Sequence, residues 1–395
     1  MAGRGRETVK KICGSAALAI AALALSGSGP TTAQTTTGLL SIDHPGARFY
    51  QYAPAIVVED GFENLFTCEN VVSGVTRDNI VHRRYIPRRF VPGGYVNGRF
   101  VAGHYAEGRE AHADIALRPS DDPQRFDSVH VCDPEIVAGK FLYRGSSYHY
   151  ALLYSANNKP SAFGNQIGIA FANSLDGPWQ RAAEPLLAFD FSGAERASWG
   201  VGQPAAVNTD RGDGFLLFYT QGGHGRTQTL MSHVHVHSIA DLSDPPFIVD
   251  APLSVSESGL QQVDGWTRDY LSNAAFAYWP ASNAFLIVRP QRPLPAGQPT
   301  FLETQQEIDM VGGVDLLAGK GIWRRLMVIG PSLTGAPRNH NAGIEKDVWG
   351  AISDPRTLAA FVTTSDACAD PLLCFPQQLW SYRVHRYNIP VAAAP

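Results

Sequence analysis

Charge is scarce in this chain of 395 residues: only 17% are Asp, Glu, Lys or Arg, against 44% hydrophobic residues. So little charge with so much apolar surface excludes a disordered chain, because burial can offset the entropy of ordering. A basic excess is lacking too, with 32 Lys and Arg against 36 Asp and Glu, net −4. Affinity for nucleic acid needs such an excess to displace counterions, so that partner class is set aside. Glycine is plentiful but follows no triplet rule, and no Ala/Glu/Lys/Leu bias runs along the chain, which excludes a collagen-like chain, a coiled coil or a long bundle. Beyond residue 25 there is no apolar run long enough to cross a bilayer, which takes about 20 residues. Three catalytic fingerprints are missing: a G-x-S-x-G nucleophile elbow, a phosphate-binding P-loop and a dinucleotide glycine motif.

The N-terminus is read as a secretory signal peptide over residues 1–33. Arg4, Arg6, Lys10 and Lys11 form its basic region, Ala16–Leu25 its apolar run, and Thr31 and Ala33 the small residues before cleavage. Cleavage takes away four basic groups and Glu7, leaving a mature chain of net −7. The chain is therefore expected to be secreted or periplasmic. Of five cysteines, Cys68, Cys132, Cys368 and Cys374 remain after cleavage. An even count in an oxidising compartment favours disulfides. The short loop between Cys368 and Cys374 suits one bridge, which leaves Cys68 for Cys132. No CxxC pair suggests structural zinc.

Short β-type runs dominate the mature chain, among them Tyr150–Tyr154, Phe215–Tyr219 and Phe285–Val288, separated by turn clusters such as Asp210-Arg-Gly-Asp-Gly214. One phrase recurs: a small or polar residue, then Pro or Ala, then an apolar strand. It stands at Ala53-Pro-Ala-Ile-Val57, Asp133-Pro-Glu-Ile-Val137, Gln203-Pro-Ala-Ala-Val207, Asn273-Ala-Ala-Phe-Ala277 and Asn341-Ala-Gly-Ile-Glu345. The intervals are 80, 70, 70 and 68 residues, each enough for a four-stranded sheet with its loops. One such sheet cannot bury both faces, so five must close around an axis. The expected fold is all-β: a single-domain five-bladed β-propeller over residues 34–395, its two ends joined within one blade. The 80-residue interval is ascribed to an inserted hairpin over residues 81–120. It carries Arg83, Arg84, Arg88 and Arg89 and an Asn97-Gly98 turn, a strong hairpin signal. Its arginines could read a carboxylate or sulfate on a ligand, or be solvated or paired with Glu107, Glu110 and Asp114.

Asp133-Pro-Glu-Ile, the aromatic strand Tyr150–Tyr154, Ile167-Gly-Ile-Ala170 and the turn Ser174-Leu-Asp-Gly-Pro-Trp179 together resemble glycoside hydrolase family 43 and related five-bladed propellers. Trp199-Gly-Val-Gly-Gln-Pro204 resembles the start of the following blade. The resemblance implies an axial site that cleaves or binds polysaccharides containing arabinose or xylose by an inverting route, and a structural Ca2+ at the axis; no other cofactor is implied. It places an auxiliary aspartate on Asp133, a general base at Ala53 and a general acid at Gln203 or Gly202. Two of those three positions therefore hold no acid, and the axial ring reads Ala, Asp, Gln, Asn, Asn. Replacement carboxylates are Glu135, Asp269, Glu345 and Asp347; Glu59 and Asp60 read as a turn. Catalytic candidates are thus Asp133, Glu135, Asp269 and Asp347. Substrate-binding candidates are Gln203, Asn273, Asn341, His340 and the aromatic residues Trp199, Trp266 and Trp349, with Tyr270 beside them, since flat rings stack on sugars.

The sequence supports two functions: a glycosidase acting on an oligo- or polysaccharide, which the basic hairpin would make an acidic one, or a propeller that binds glycans or a partner without cleaving. A second carboxyl facing the axial cavity with Asp133 separates them. The run His233-Val-His-Val-His237 puts three imidazoles on one strand face. Nothing nearby in sequence supplies a further ligand, so the run is read as an outer-strand face and no metal is assigned to it.

Overall fold

Five antiparallel sheets succeed one another along the chain in a computed structural model. It describes residues 38–39, 51–70, 77–86, 90–91, 94–96, 99–101, 104–105, 109–159, 163–238, 246–294, 303–352, 357–366 and 382–390. The expected signal peptide and the Cys368–Cys374 bridge lie outside them. Blade one is built from Gln51–Glu59, Phe62–Asn70, Asp78–Ile86 and Arg109–Leu117. Blade two runs His130–Tyr143, Ser146–Asn157, Gln166–Ala172 and Gln180–Arg181. Blade three has Gly200–Val207, Gly214–Gly223 and Arg226–His235, edged by two short strands at 248–249 and 253–254. Blade four has Ala275–Trp279, Ala284–Pro290, Gln306–Gly312 and Arg324–Ile329. Blade five takes Arg338–Ile344, Thr357–Ser365 and Arg383–Pro390 from the end of the chain, and Gly38–Leu39 from its beginning. Gly38 pairs with Arg386 and Leu39 with His385, so the two ends of the chain close the ring in one blade.

Each strand alternates its side chains between the two faces of its blade, so each blade buries apolar residues against both neighbours. Five inter-blade cores result. Val57, Phe66, Ile136 and Tyr154 join blades one and two; Val137, Ile169, Leu217 and Val234 join two and three. Phe218 lies 3.9 Å from Phe276, stacked, between three and four. Val288, Ile308, Ile344 and Val362 fill the next wedge, and Ile56, Leu65, Phe361 and Val384 the last. Both faces of every blade are thereby used in closing the ring.

The two ends of the segment 81–120, expected as an insertion, belong to the outer strands of blade one, with Val81 opposite Ile115 and Arg84 opposite His112. What extends beyond the ladder is the connection between them. In it Gly94–Val96 pairs antiparallel with Arg99–Val101; Asn97 and Gly98 lie outside the described residues. Arg83 is buried and donates to Glu69 at 2.9 Å, while Arg84 reaches Asp176 at 2.7 Å. These two arginines hold the blade and are not offered to a ligand; Arg88 and Arg89 lie outside the described residues.

The recurring phrase has a backbone cause. Ala53, Asp133, Gln203, Asn273 and Asn341 all adopt left-handed φ, between 35° and 52°. In four blades the ladder slips at that point, between Tyr52 and Ala55, Cys132 and Glu135, Gly202 and Ala205, and His340 and Ala342. Each inner strand thus enters through a bulge that turns its first residue onto the axis. Asn and Asp tolerate this conformation, which explains three of the five identities. Ala53 does not, and its left-handed backbone costs about 1–2 kcal/mol. Ala53→Gly is therefore expected to leave stability unchanged or raise it by up to about 1 kcal/mol, the reverse of the usual penalty for glycine in a strand. Urea unfolding of the two proteins measures the difference, and a loss of more than about 1 kcal/mol would contradict it.

Candidate functional site

The five opening residues stand around one axial cavity of about 50 Å3, with Glu135 and Lys346 also in its wall. That volume takes ordered water and no sugar ring. Kinked amides are satisfied by the neighbouring blade: Gln203 N–H donates to Ser155 Oγ at 2.7 Å, and Asn273 N–H to Thr220 Oγ1 at 2.9 Å. Asn273 donates through its side-chain amide to Asn341 Oδ1. Asp133, Gln203, Asn273 and Asn341 are thereby brought together as expected, with Ala53 completing the ring.

Asp133 is the one carboxylate in that ring. Burial pushes its carboxyl up to about 6, and Asp78 adds to the rise. Side-chain hydrogen bonds from Ser155 and Tyr52 and the charge of His340 pull the other way. Tyr52 Oη donates to Asp133 Oδ1 at 3.2 Å. Desolvation and the charge of Asp133 hold its phenol protonated, well above the ordinary range. The Tyr52 ring stacks flat on His340, centroids 5.7 Å apart, and His340 Nδ1 is paired with the Glu303 carboxylate. Tyr382 closes this side, 6.2 Å from Tyr52 and 6.5 Å from His340. Burial and the nearby Glu303 raise its phenol. The Cys68–Cys132 disulfide, expected from the cysteine count, backs the wall beside Ala53, with Cys132 Sγ 3.8 Å from Asp133 Oδ1. Asp78 lies close to both sulfurs, but these are bonded to each other and offer a metal nothing.

The other candidate carboxylates are committed elsewhere. Glu135 lines the cavity, yet Lys346 Nζ donates to it at 2.8 Å and both are buried. Burial raises the Glu135 carboxyl, against the pull of Lys346. Asp269 is enclosed by Arg289, at 2.7 Å, and Arg292, at 3.5 Å. Arg289 also reaches Asp309 at 3.1 Å and Glu307 at 3.5 Å, which makes a buried cluster inside blade four. Asp347 accepts the amides of Trp349 and Ala351 and caps a turn. Glu345 pairs with Arg386 at 3.1 Å. Asp269 and Asp347 are therefore structural groups away from the ring, and Glu135 carries no free charge. Nor does the axial donor set fit a Ca2+ ion, which takes 6–8 oxygens with several charges among them. Here Asp133 stands among amides, and Glu135, the other carboxylate of the cavity wall, is paired with the Lys346 ammonium.

Outside the ring a groove of about 620 Å3 runs between Trp199 and Tyr270. Gly222, Gly223 and Gly225 line it, and Arg226 is exposed at its end. Trp199 lies tightly over Gly202, where an added Cβ would come 2.9 Å from its ring, so this groove begins one residue from Gln203. Tyr270 is held from below by Arg292, whose guanidinium carbon lies 3.5 Å from the ring centroid. Asp269 thus positions Tyr270 through Arg292. Trp266 is 81% exposed on the turn capped by Asp264. Trp349 is misplaced by the sequence reading. Its carbonyl accepts from Asn208 N–H and its ring lies near Arg211, at the far end of blade three's inner strand. Sequence reasoning missed Tyr52, Glu303 and Lys346. Tyr52 had a signal, since it precedes Ala53 as His340 precedes Asn341; Glu303 is in a connection and had none.

No protein-family model matches the sequence, and no curated protein is similar to it. Solved structures share its fold. An α-L-arabinofuranosidase of Podospora anserina, in complex with cellotriose, superposes with a TM-score of 0.52 at 11% identity, over 92% of this chain and 99% of that one. A family 117 glycoside hydrolase from the marine bacterium Zobellia galactanivorans gives 0.51 at 12% identity, over 90% of each chain. A family 43 β-xylosidase/α-arabinofuranosidase from a compost metagenome, in complex with xylotriose, gives 0.52 at 14% identity, over 90% and 96%. At these identities what is shared is the five-bladed architecture.

Proposed function

We propose that this chain binds a glycan on the axial mouth, with Asp133 receiving hydroxyls of one sugar and the Trp199–Tyr270 groove holding the next. The observation that carries the reading is one carboxylate in the axial ring, Asp133, held by the Tyr52 hydroxyl, beside a groove walled by two aromatic rings. Carboxylates bind sugar hydroxyls, and flat rings cover the apolar faces of sugars. Arg226 at the end of the groove suits a carboxylate or sulfate, so an acidic glycan is the favoured ligand. Inverting hydrolysis needs two carboxyls about 6.5–9.5 Å apart with a water between them. Ala53 and Gln203 occupy the family's base and acid positions, and Glu135 is neutralised by Lys346, which weighs against that route. Export and an oxidising compartment suit the disulfide.

One observation favours a second reading, in which the chain hydrolyses its ligand. An Asp133 carboxyl pushed up to about 6 by burial can exchange a proton near neutral pH.

The mature chain and its Asp133→Asn and Trp199→Ala variants, titrated with neutral, uronate and sulfated oligosaccharides, test the proposal. Binding by the parent and a loss of tenfold or more in each variant are expected, a hydrogen bond to a charged group contributing about 1.5–3 kcal/mol. Binding should strengthen as pH rises through about 6, where Asp133 ionises, and the Asp133→Asn variant should lack that step. Release of reducing ends by the parent alone would establish the second reading. Affinity unchanged in both variants would dismiss the site.

A further inference from the structure

His233, His235 and His237 alternate along blade three with Val234 and Val236, both fully buried between blades two and three. A strand's period of two therefore puts His233 and His235 on the opposite face, and His237 follows just past the strand's end, bridged to Leu142 of blade two. The inner strand of this blade runs from the mouth at Gly200 to Val207. After the turn beyond it, Asp213 leads into Gly214–Gly223, and Gly214 pairs with His235. The cluster thus lies at the end of the blade away from the axial mouth and is independent of the glycan site.

The missing ligand comes from this turn. Asp213 Oδ1 lies 3.6 Å from His235 Nδ1, and its Oδ2 lies 3.2 Å from His237 Nδ1. Two ligands of one tetrahedral zinc, each about 2.0–2.1 Å from the metal, are about 3.3 Å apart. Both separations are close to that edge, but they run to different oxygens of the carboxylate, so the exposed imidazoles must turn for their nitrogens to meet on one ion. His233 joins them: its ring centroid is 4.2 Å from that of His235, the planes near perpendicular. Gly214 leaves the space open. A Cβ there would meet His235 Nδ1 at 2.9 Å and His233 Nε2 at 3.1 Å.

The scaffold is stiff where it needs to be. Val236 N–H donates to Asp213 O, and Leu142 N–H to Val236 O. Ser238 N–H returns to Leu142 O, pinning the His237 segment onto blade two. Side-chain exposures of 39% for His235, 40% for Asp213 and 63% for His237 leave the imidazoles free to turn their nitrogens onto an ion from solvent.

We propose that Asp213, His235 and His237, with His233, form a binding site for one divalent transition-metal ion of the zinc class. Imidazole with one carboxylate is a donor set for such an ion; Ca2+ and Mg2+ prefer oxygen alone.

The test is calorimetric titration of the mature chain with Zn2+ alone, beside a His235→Gln/His237→Gln double variant, Asp213→Asn, and His224→Gln as a control on another surface. One equivalent of Zn2+ should bind the parent and the control alike. Affinity should fall at least tenfold in Asp213→Asn and a hundredfold in the double variant, while Mg2+ produces no heat in any of them. Circular dichroism without metal checks that each variant is folded. Excess Zn2+ should raise the melting temperature of the parent and not of the double variant. Absence of binding to the parent, or equal binding by the folded double variant, overturns the site.

Discussion

Lys346→Met is expected to lower the unfolding free energy by about 3–5 kcal/mol, the range found when one partner of a buried ion pair is removed. The lysine is nearly the hub of the ring. Its ammonium donates to Glu135 on blade two at 2.8 Å and to the Phe276 carbonyl on blade four at 2.9 Å. Its backbone belongs to the chain leaving blade five and pairs in parallel with Val57 of blade one. Without the ammonium, the Glu135 carboxylate stands buried among neutral groups. Its carboxyl is already raised by burial, and the loss of Lys346 raises it further. A carboxyl whose folded pKa exceeds its unfolded value destabilises the native state as pH rises between the two values. The variant should therefore regain stability as pH falls from 7 toward about 4.3, the ordinary glutamate value. Adding Glu135→Gln should recover most of the loss at pH 7, because no charge is then left unpaired. Urea midpoints at pH 5 and pH 7 measure both effects. A Lys346→Met chain as stable as its parent at pH 7 would mean that this pair is not what closes the axis.

Replacing Cys68 and Cys132 by serine is expected to have an effect of similar size. The bridge ties the second strand of blade one to the first strand of blade two across 64 residues of sequence. Loop-closure entropy for a loop of that length is worth about 4 kcal/mol. The loss differs from that of Lys346→Met in being independent of pH. It should also reach the site, because Cys132 adjoins Asp133 and the sulfurs pack against Ala53. Glycan affinity of the double serine variant should fall under conditions in which the protein is still folded. Reduction of the parent by dithiothreitol should reproduce the shift in urea midpoint, and an unchanged midpoint would argue that the thiols are not paired in solution.

Much of the ring was legible because its cause is local. A left-handed entry bulge is easiest for Asn or Asp and is succeeded here by Pro or Ala, so five such bulges leave a phrase that recurs near every 70 residues. Closure at the ends was legible for the same reason: five blades from one chain need an edge strand, and the N-terminal Gly38–Leu39 supplies it. The aromatic mouth was legible in part. Trp199 and Tyr270 wall the groove, whereas Trp349, which comes after the inner strand of blade five, lies at the far end. Direction along an inner strand separates them, and a residue before the bulge faces the mouth while one after the strand does not.

The sequence by itself determined the blade number, the residues at the axis and the scarcity of acid among them, because each depends on residue type and spacing along one strand. Only the tertiary structure decided which charges are free. Glu135 is neutralised by a lysine 211 residues away, Asp133 takes its phenol donor from 81 residues before it, and His340 is paired with a glutamate 37 residues before it. Asp213, which turns a row of histidines into a candidate metal site, comes from the turn before the neighbouring strand. What a carboxylate does is set by the donors within about 3 Å of it. In a closed ring those donors come from other blades, where spacing along the sequence has no say.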